Sequence, residues 1–309
     1  MQAFWWAPCL TRRAGTAQSQ PMTSAGTRSR TGSAGGDTPP SWLAQLLAGG
    51  RPLVMGILNI TPDSFSDGGR YLAPELAVAH TRRMVAEGAD IIDIGAESTR
   101  PYGGAMAVTA QEELARLEPI LPRLAEAGIR ISIDTMKAEV AAWALDAGAA
   151  MVNDVWGLQR DPDMAGLVAE HDLPVVIMHN RVAADPAIDI MADVEGFFQR
   201  SLAIAERAAI ARDCIVLDPG IGFGKTPEQS LTVLARLQEL EAFGVPLLVG
   251  ASRKRFIDHV AAAPPDRRLG GSLAAHLVAV ASGARIIRAH DVAETVQAIK
   301  VAAAIRDAR

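Results

Sequence analysis

Short, wholly apolar runs alternate with longer stretches of helical spacing through most of the chain. The first run, 52–58, gives way at Asn59 to a string of turn formers: Thr61, Pro62, Asp63, Ser64, Ser66, Asp67, Gly68 and Gly69. The pattern then repeats as a cassette of amphipathic helix, glycine or turn, β-branched run and polar residues. Helices are predicted over 74–88, 110–127, 137–147, 161–171, 192–211, 227–243, 271–282 and 291–305. Strands are predicted over 52–58, 90–95, 130–133, 150–152, 174–178, 214–217, 246–249 and 285–287. Gly88, Gly148 and Gly283 sit where left-handed helix caps are expected.

Strands that are apolar throughout, each followed by a helix, belong to a parallel sheet covered on its faces. Eight such units predict one α/β domain, a (β/α)8 TIM barrel over 41–309. A doubly wound open sheet is the alternative. The absence of a Gly-rich fingerprint after the first strand weighs against it. A short amphipathic lead-in at 42–47 is placed to cover the bottom of the barrel.

Composition narrows the class. Apolar residues make up 49% of 309 positions and charged residues 21%, which suits a globular chain with a large core. The net charge of −5 argues against nucleic acid as a partner. No apolar stretch is long enough to span a membrane. Cys9 and Cys214 lie far apart, so a disulfide framework is not expected and a cytoplasmic location is. Residues 1–40 differ in kind. Ser, Thr, Gly, Ala and Arg dominate, with no acidic residue before Asp37. That composition resembles a transit peptide but lacks an amphipathic period. We expect a disordered extension, or an overlong start with Met22 as the internal alternative.

The polar residues collect at the C-terminal ends of the strands, where sites form on a barrel. They are Asn59; Glu97, Ser98, Thr99 and Arg100; Asp134; Asn153 and Asp154; His179 and Asn180; Asp218; Ser252, Arg253 and Lys254; Arg288 and His290. Asp134, Asn153 and Asp218 are flanked by apolar residues. Carboxylates and a carboxamide match the amidine-like edge of a planar heterocycle such as a pteridine or guanine. Taken singly, Asp134 is equally readable as a helix cap and Asp218 as a turn residue. Arg100, Arg253, Lys254, Arg288 and His290 form a cationic set that, with Thr99, suits a diphosphate. Asn59 offers a carbonyl oxygen to a Mg²⁺ shared with that diphosphate. Asp291 and Glu294 read as a capping box for the last helix.

Two lookalikes are set aside. The run from Gly220 to Thr226 resembles a P-loop, but Pro219 stands where the first glycine is required. His179 and His290 lack a third zinc ligand at motif spacing.

At the level of letters, L-N-I-T-P-D-S-F-S-D-G-G at 58–69 and G-A-E-S-T-R-P at 95–101 resemble the two signatures of the dihydropteroate synthases. S-I-D-T at 132–135, V-N-D-V at 152–155, L-D-P-G-I-G-F-G-K at 217–225, S-R-K at 252–254 and R-A-H-D-V at 288–292 follow in the family's order. The resemblance implies a transferase of folate biosynthesis. It would join (7,8-dihydropterin-6-yl)methyl diphosphate to 4-aminobenzoate and release diphosphate. It implies Asp134, Asn153, Asp218 and Lys254 around the pterin, with Val155, Met178 and Phe223 as walls. Asn59 with Mg²⁺, Thr99, Arg100, Arg288 and His290 would hold the diphosphate. Phe65, Thr99, Pro101, Ser252 and Lys254 would hold 4-aminobenzoate. Loops 61–72 and 100–108 would close over the site. Asp134, Lys254, Arg288 and His290 are the residues the resemblance makes catalytic. It also implies a homodimer through outer helices and a target of sulfonamides. The chain departs from the usual pattern at Tyr102-Gly103-Gly104, at His179-Asn180-Arg181 and at Ala289. A corrinoid methyltransferase sharing the pterin-binding barrel, and a non-catalytic pterin-binding paralogue, are the competing readings. The first needs no diphosphate residues, and the second would be expected to have lost Asn59, Lys254, Arg288 or His290.

Overall fold

The computed structural model describes residues 41–60, 69–97 and 108–308. Pro40–Arg309 forms one compact unit. Its eight strands are β1 (Leu53–Asn59), β2 (Ile91–Gly95), β3 (Ile131–Asp134), β4 (Met151–Asp154), β5 (Val175–Met178), β6 (Ile215–Asp218), β7 (Leu247–Val249) and β8 (Ala284–Ala289). Each pairs in parallel with the next, and β8 returns to β1 to close a barrel. Helices follow the strands: α2 (Gly69–Ala86) after β1, α3 (Ala110–Leu117) and α4 (Leu121–Glu126) after β2, and α5 (Ala138–Asp146) after β3. Then come α6 (Met164–His171), α7 (Ile190–Arg207), α8 (Pro227–Ala235), α9 (Arg255–Val260), α10 (Leu269–Ala281) and α11 (Val292–Asp307). The barrel is the expected (β/α)8 fold.

Several boundaries differ from the sequence expectation, for local reasons. The helix expected over 110–127 breaks in two. Pro119 has no N–H to continue the first helix, and Pro122 sits in the first turn of the second, where none is needed. The helix expected over 227–243 ends at Ala235. A 3-10 stretch, Leu237–Phe243, follows, burying Leu237 and Leu240 at the three-residue spacing that this tighter helix eclipses. Helix α2 begins at Gly69, so Pro74 lies inside it. Helix α9 is too short to show a period and was not expected.

Side chains two apart on a strand share a face, and this sorts the barrel interior into layers. The lower layer is apolar: Leu53, Met55, Ile91, Met151, Val176, Val216, Leu248 and Ile286. Helix α1 (Trp42–Leu47) caps it from below. Leu43 joins the cluster, Trp42 Nε1 donates to Ala150 O at 3.2 Å, and Ser41 caps the helix. One pleat further along, the same faces carry Asp93, Asn153, Met178, Asp218 and Arg288, with Asp134 following Ser132. The outward faces of the strands bury Ile92, Ile133, Val152, Ile177 and Leu217 under the helices.

Candidate functional site

The upper layer is held by strand register. Asp134 lies opposite Asn153, and Met178 opposite Asp218. All four are buried. Asp93, unremarked in the sequence, organises the layer. Its Oδ2 accepts from Arg288 Nε at 2.6 Å and from Asn153 Nδ2 at 3.0 Å. Arg288 Nη2 donates to Asp134 Oδ2 at 3.0 Å. One guanidinium therefore serves two carboxylates whose residues are fully or nearly fully buried. The only signal for Asp93 in the sequence is an acidic residue inside an apolar strand, on the parity that faces inward.

Burial, reinforced by the nearby Asp93, pushes Asp134 up to about 7, with Arg288 opposing. Burial likewise raises Asp218 to about 6, against the Gly220 N–H and the charges of Lys254 and Arg288. Burial disfavours the Arg288 cation, but Asp93 and Asp134 outweigh it and hold its pKa above the ordinary value. Asp134 Oδ1 and Asn153 Oδ1 are buried and have no hydrogen-bond partner among the described residues. Buried acceptors in that state are uncommon, and here two of them sit on adjacent strands at the same level. Asp134 does not cap the following helix, whose N-cap is Lys137. Asp218 acts as a turn residue as well, accepting from Gly220 N at 2.7 Å.

The walls come from neighbouring strand ends. Val155 and Met178 are buried, and the half-buried Phe223 lies under Lys254, whose Nζ is 4.0 Å from the ring centroid. The β7–α9 turn that carries Ser252 and Lys254 is tied down from behind. Ser272 Oγ accepts from Arg253 N at 2.9 Å, and Arg268 Nη1 donates to Arg253 O at 3.2 Å. Arg253 takes a left-handed backbone there, φ 58°.

Three expectations are corrected at this turn. Arg253 is not an available cation, because Asp291 holds it, with Nε to Oδ2 at 3.0 Å. Asp291 therefore makes no capping bond to α11, since a bidentate partner outcompetes the orphan N–H groups. His290 does not belong with the cations either. Burial, with Arg288 and Arg253 beside it, pushes it down to about 3, so the ring is neutral. Its backbone N–H donates to Ser252 Oγ at 3.2 Å, and that hydroxyl lies 3.0 Å from Nδ1. A hydroxyl that donates to Nδ1 leaves the proton on Nε2, which suits donation to an anion.

Other polar strand ends are engaged elsewhere. Glu97 pairs with Lys137 at 2.6 Å, and Lys137 also holds the buried Glu113 at 2.7 Å. Asp154 accepts from the backbone N–H groups of Trp156 and Leu158 and shapes their turn. His179 contacts Asp193 and Lys225. Asn59 ends β1, half-buried and opposite Gly95. Ser98, Thr99, Arg100, Pro101 and Phe65, and loops 61–72 and 100–108 for most of their length, lie outside the described residues. So do residues 1–40. Among the described residues, no group of three His, Cys, Asp or Glu side chains is arranged to cage a metal ion. A recess of about 320 Å³ between Leu47, Gly244, Pro246 and Arg285 lies at the opposite end of the barrel, away from the charged layer.

The family model described as pterin binding enzyme matches residues 55–290, the span that contains the whole of this layer. A dihydropteroate synthase of Bacillus subtilis is 44% identical over 252 residues, covering 81% of this chain and 87% of that protein. The chain belongs to the pterin binding enzyme family, among its dihydropteroate synthases. The Escherichia coli dihydropteroate synthase is likewise 44% identical, over 84% of this chain and 93% of its own length. Among solved structures, a Clostridium difficile dihydropteroate synthase in the presence of pteroic acid matches with a TM-score of 0.79 and 46% identity. That match covers 82% of this chain and 97% of that one. A Xanthomonas albilineans dihydropteroate synthase with 4-aminobenzoic acid matches equally, at 0.79 and 46%, over 83% of this chain and 93% of its own. As a family member, the chain is a transferase of folate biosynthesis. It condenses (7,8-dihydropterin-6-yl)methyl diphosphate with 4-aminobenzoate to 7,8-dihydropteroate and diphosphate. The corrinoid methyltransferase and the non-catalytic paralogue are thereby set aside.

Proposed function

We propose that the upper layer of the barrel binds the pterin and that the adjoining β7–α9 and β8–α11 turns hold the two groups that react. The observation that carries this is the pair of unpartnered buried oxygens, Asp134 Oδ1 and Asn153 Oδ1, in register, with the buried Asp218 two strands further round the barrel. A pterin's amino and ring N–H groups offer the donors these acceptors lack. Val155, Met178 and Phe223 wall the ring, and Lys254 reaches over Phe223 towards it. Arg288, through the Nη1 that neither Asp93 nor Asp134 engages, and the neutral His290, together with Thr99 and Arg100, hold the diphosphate. Ser252, Lys254, Phe65, Thr99 and Pro101 hold 4-aminobenzoate.

The reaction asks little nucleophilic help from the protein, because an aryl amine is neutral near pH 7. The amine nitrogen bonds to the pterin methylene, the C–O bond breaks with its electron pair going to diphosphate, and the amine sheds a proton. Arg288 stabilises the departing anion, and His290 Nε2–H donates to it. No covalent intermediate on a side chain is needed.

Asn59 fits a Mg²⁺ site of a particular kind. One neutral carbonyl oxygen suits an ion that keeps most of its waters and takes its other ligands from the diphosphate. When bound there, the ion supplies positive charge to the leaving group. We further propose that the chain works as a homodimer in the cytoplasm and is a target of sulfonamides. No described helix is long and apolar enough to cross a membrane. A Yersinia pestis relative has been solved in a sulfonamide drug complex.

The test is diphosphate release from the dihydropterin diphosphate, with and without 4-aminobenzoate, in Mg²⁺ and then in EDTA. Lys254→Ala and Asp134→Asn are run alongside. Release coupled to pteroate, abolished by EDTA and crippled in both variants, is expected. Full activity in either variant would overturn the assignment of that residue, and full activity in EDTA that of the metal.

A further inference from the structure

Lys225 is among the largest fully buried side chains of the described residues. Its Nζ lies 2.6 Å from His179 Nδ1, 2.9 Å from Gly220 O and 3.2 Å from Phe223 O. His179 in turn meets Asp193 through Nε2 at 3.0 Å, and Asp193 pairs with Arg181 at 2.8 Å. The β6–α8 loop is thereby pressed onto the segment after β5. Two glycines make that approach possible. Gly220 and Gly224 have φ of 65° and 54°, and a side chain at either would run into the backbone of His179 or Arg181.

Burying an ammonium is costly unless its hydrogen bonds are placed to use it, and a methionine would fill the same space without that cost. What the charge reaches is the proposed pterin subsite. Gly220 is bonded from both sides: its N–H donates to Asp218 Oδ1 at 2.7 Å, and its carbonyl accepts from Lys225. Phe223 is bonded to Lys225 through its carbonyl while its ring carries Lys254.

We propose that Lys225 is a positioning residue of the pterin subsite: through their carbonyls its ammonium fixes Phe223, a wall of the pocket, and Gly220, whose N–H holds the Asp218 carboxylate. The inference rests on the reading of Asp218 as a pterin ligand. The charge relations agree with the geometry. Lys225 is one of three cations, with Lys254 and Arg288, that oppose the rise of Asp218 caused by burial. Burial pushes Lys225 itself down to about 7, against Asp218 and Asp193, with Lys254 and Arg181 adding to the fall. It is thus charged at the lower pH where Asp218 titrates. His179 is pushed by burial and by Lys225 down to about 3, so its ring is neutral; the Asp193 carboxylate at Nε2 keeps the proton there, and Nδ1 accepts from the ammonium.

The experiment measures affinity for a dihydropterin from pH 5 to 8, and KM for both substrates, in wild type, Lys225→Met and Lys225→Gln. Gln keeps two donors for the carbonyls and removes the charge together with the bond to His179. We expect KM for the pterin diphosphate to rise about ten-fold at pH 7, with kcat and KM for 4-aminobenzoate within about three-fold. We expect the acid limb of pterin binding to move up by roughly 0.3 pH unit in both variants, because Lys225 is the weakest of the three cations acting on Asp218. An unmoved acid limb, equal increases in both KM values, or two variants that fail to fold would reduce Lys225 to a packing brace and overturn the proposal. Asp218→Ala separates the two readings. If it binds pterin normally, the subsite itself is misassigned; if it does not, the outcome at Lys225 stands by itself.

Discussion

Ile91 and Asp93 leave the same strand on the same face, one pleat apart. So do Met151 and Asn153, Val216 and Asp218, and Ile286 and Arg288. The lower member of each pair joins an apolar cluster that α1 covers from below. The upper member joins a network in which Asp93 and Asp134 share Arg288. In the lower layer, energy comes from area removed from water and from close packing, and similar apolar side chains are interchangeable at modest cost. In the upper layer, burial opposes every charge, and what stabilises each group is a particular partner at a particular atom. The difference teaches where tolerance ends: two residues along a strand, substitution passes from a question of volume to one of identity.

Removal of Arg288 tests that contrast most severely. Arg288→Met keeps bulk but strands two buried carboxylates. We expect kcat/KM to fall by about 10³-fold, roughly 4 kcal/mol of transition-state stabilisation. Stability should fall by about 3–5 kcal/mol near neutral pH, as measured by urea unfolding. The stability loss should shrink as pH falls. The pKa of Asp134 is already raised in the folded state, so below about 7 its proton removes part of the repulsion. A loss that is the same at pH 5 and pH 8 would show that charge is not what Arg288 balances. In the lower layer, Leu248→Ala should cost about 2–5 kcal/mol in the same unfolding assay. Both KM values of the folded enzyme should stay within about two-fold. A large change in either KM would show that the layers are not separable. The smallest effect is expected behind the mouth. Asp291→Asn loosens Arg253, whose pairing is partly exposed, and should raise KM for 4-aminobenzoate about three-fold, less than 1 kcal/mol, with unfolding unchanged.

The strand–helix alternation was legible because parallel strands buried on both faces read as unbroken apolar runs. Asp134, Asn153 and Asp218 were legible because each ends such a run. Asp93 was not, since one carboxylate inside an apolar strand has no meaning until Arg288 and Asn153 are seen around it. Lys225 was hidden by its resemblance to a phosphate-loop lysine, and the real partner, His179, lies 46 positions away. Arg253 and His290 were misread as cations because a sequence shows formal charge but neither the Asp291 partner nor the burial that discharges an imidazole. The capping box at Asp291 failed for the same reason: a local pattern lost to a partner on another turn.

The contacts of Arg288 also bear on how the chain folds. Its partners Asp93 and Asp134 lie 195 and 154 residues upstream, and its own strand is the one that closes the barrel. Loops of that length form late, since their closure entropy must be met before the contact rewards it. Without β8, Asp93 and Asp134 lack the guanidinium that they share in the closed barrel. Closure thus completes the fold and balances the charge in one event. A chain cut before β8 should lose its pterin pocket outright rather than retain a weakened one.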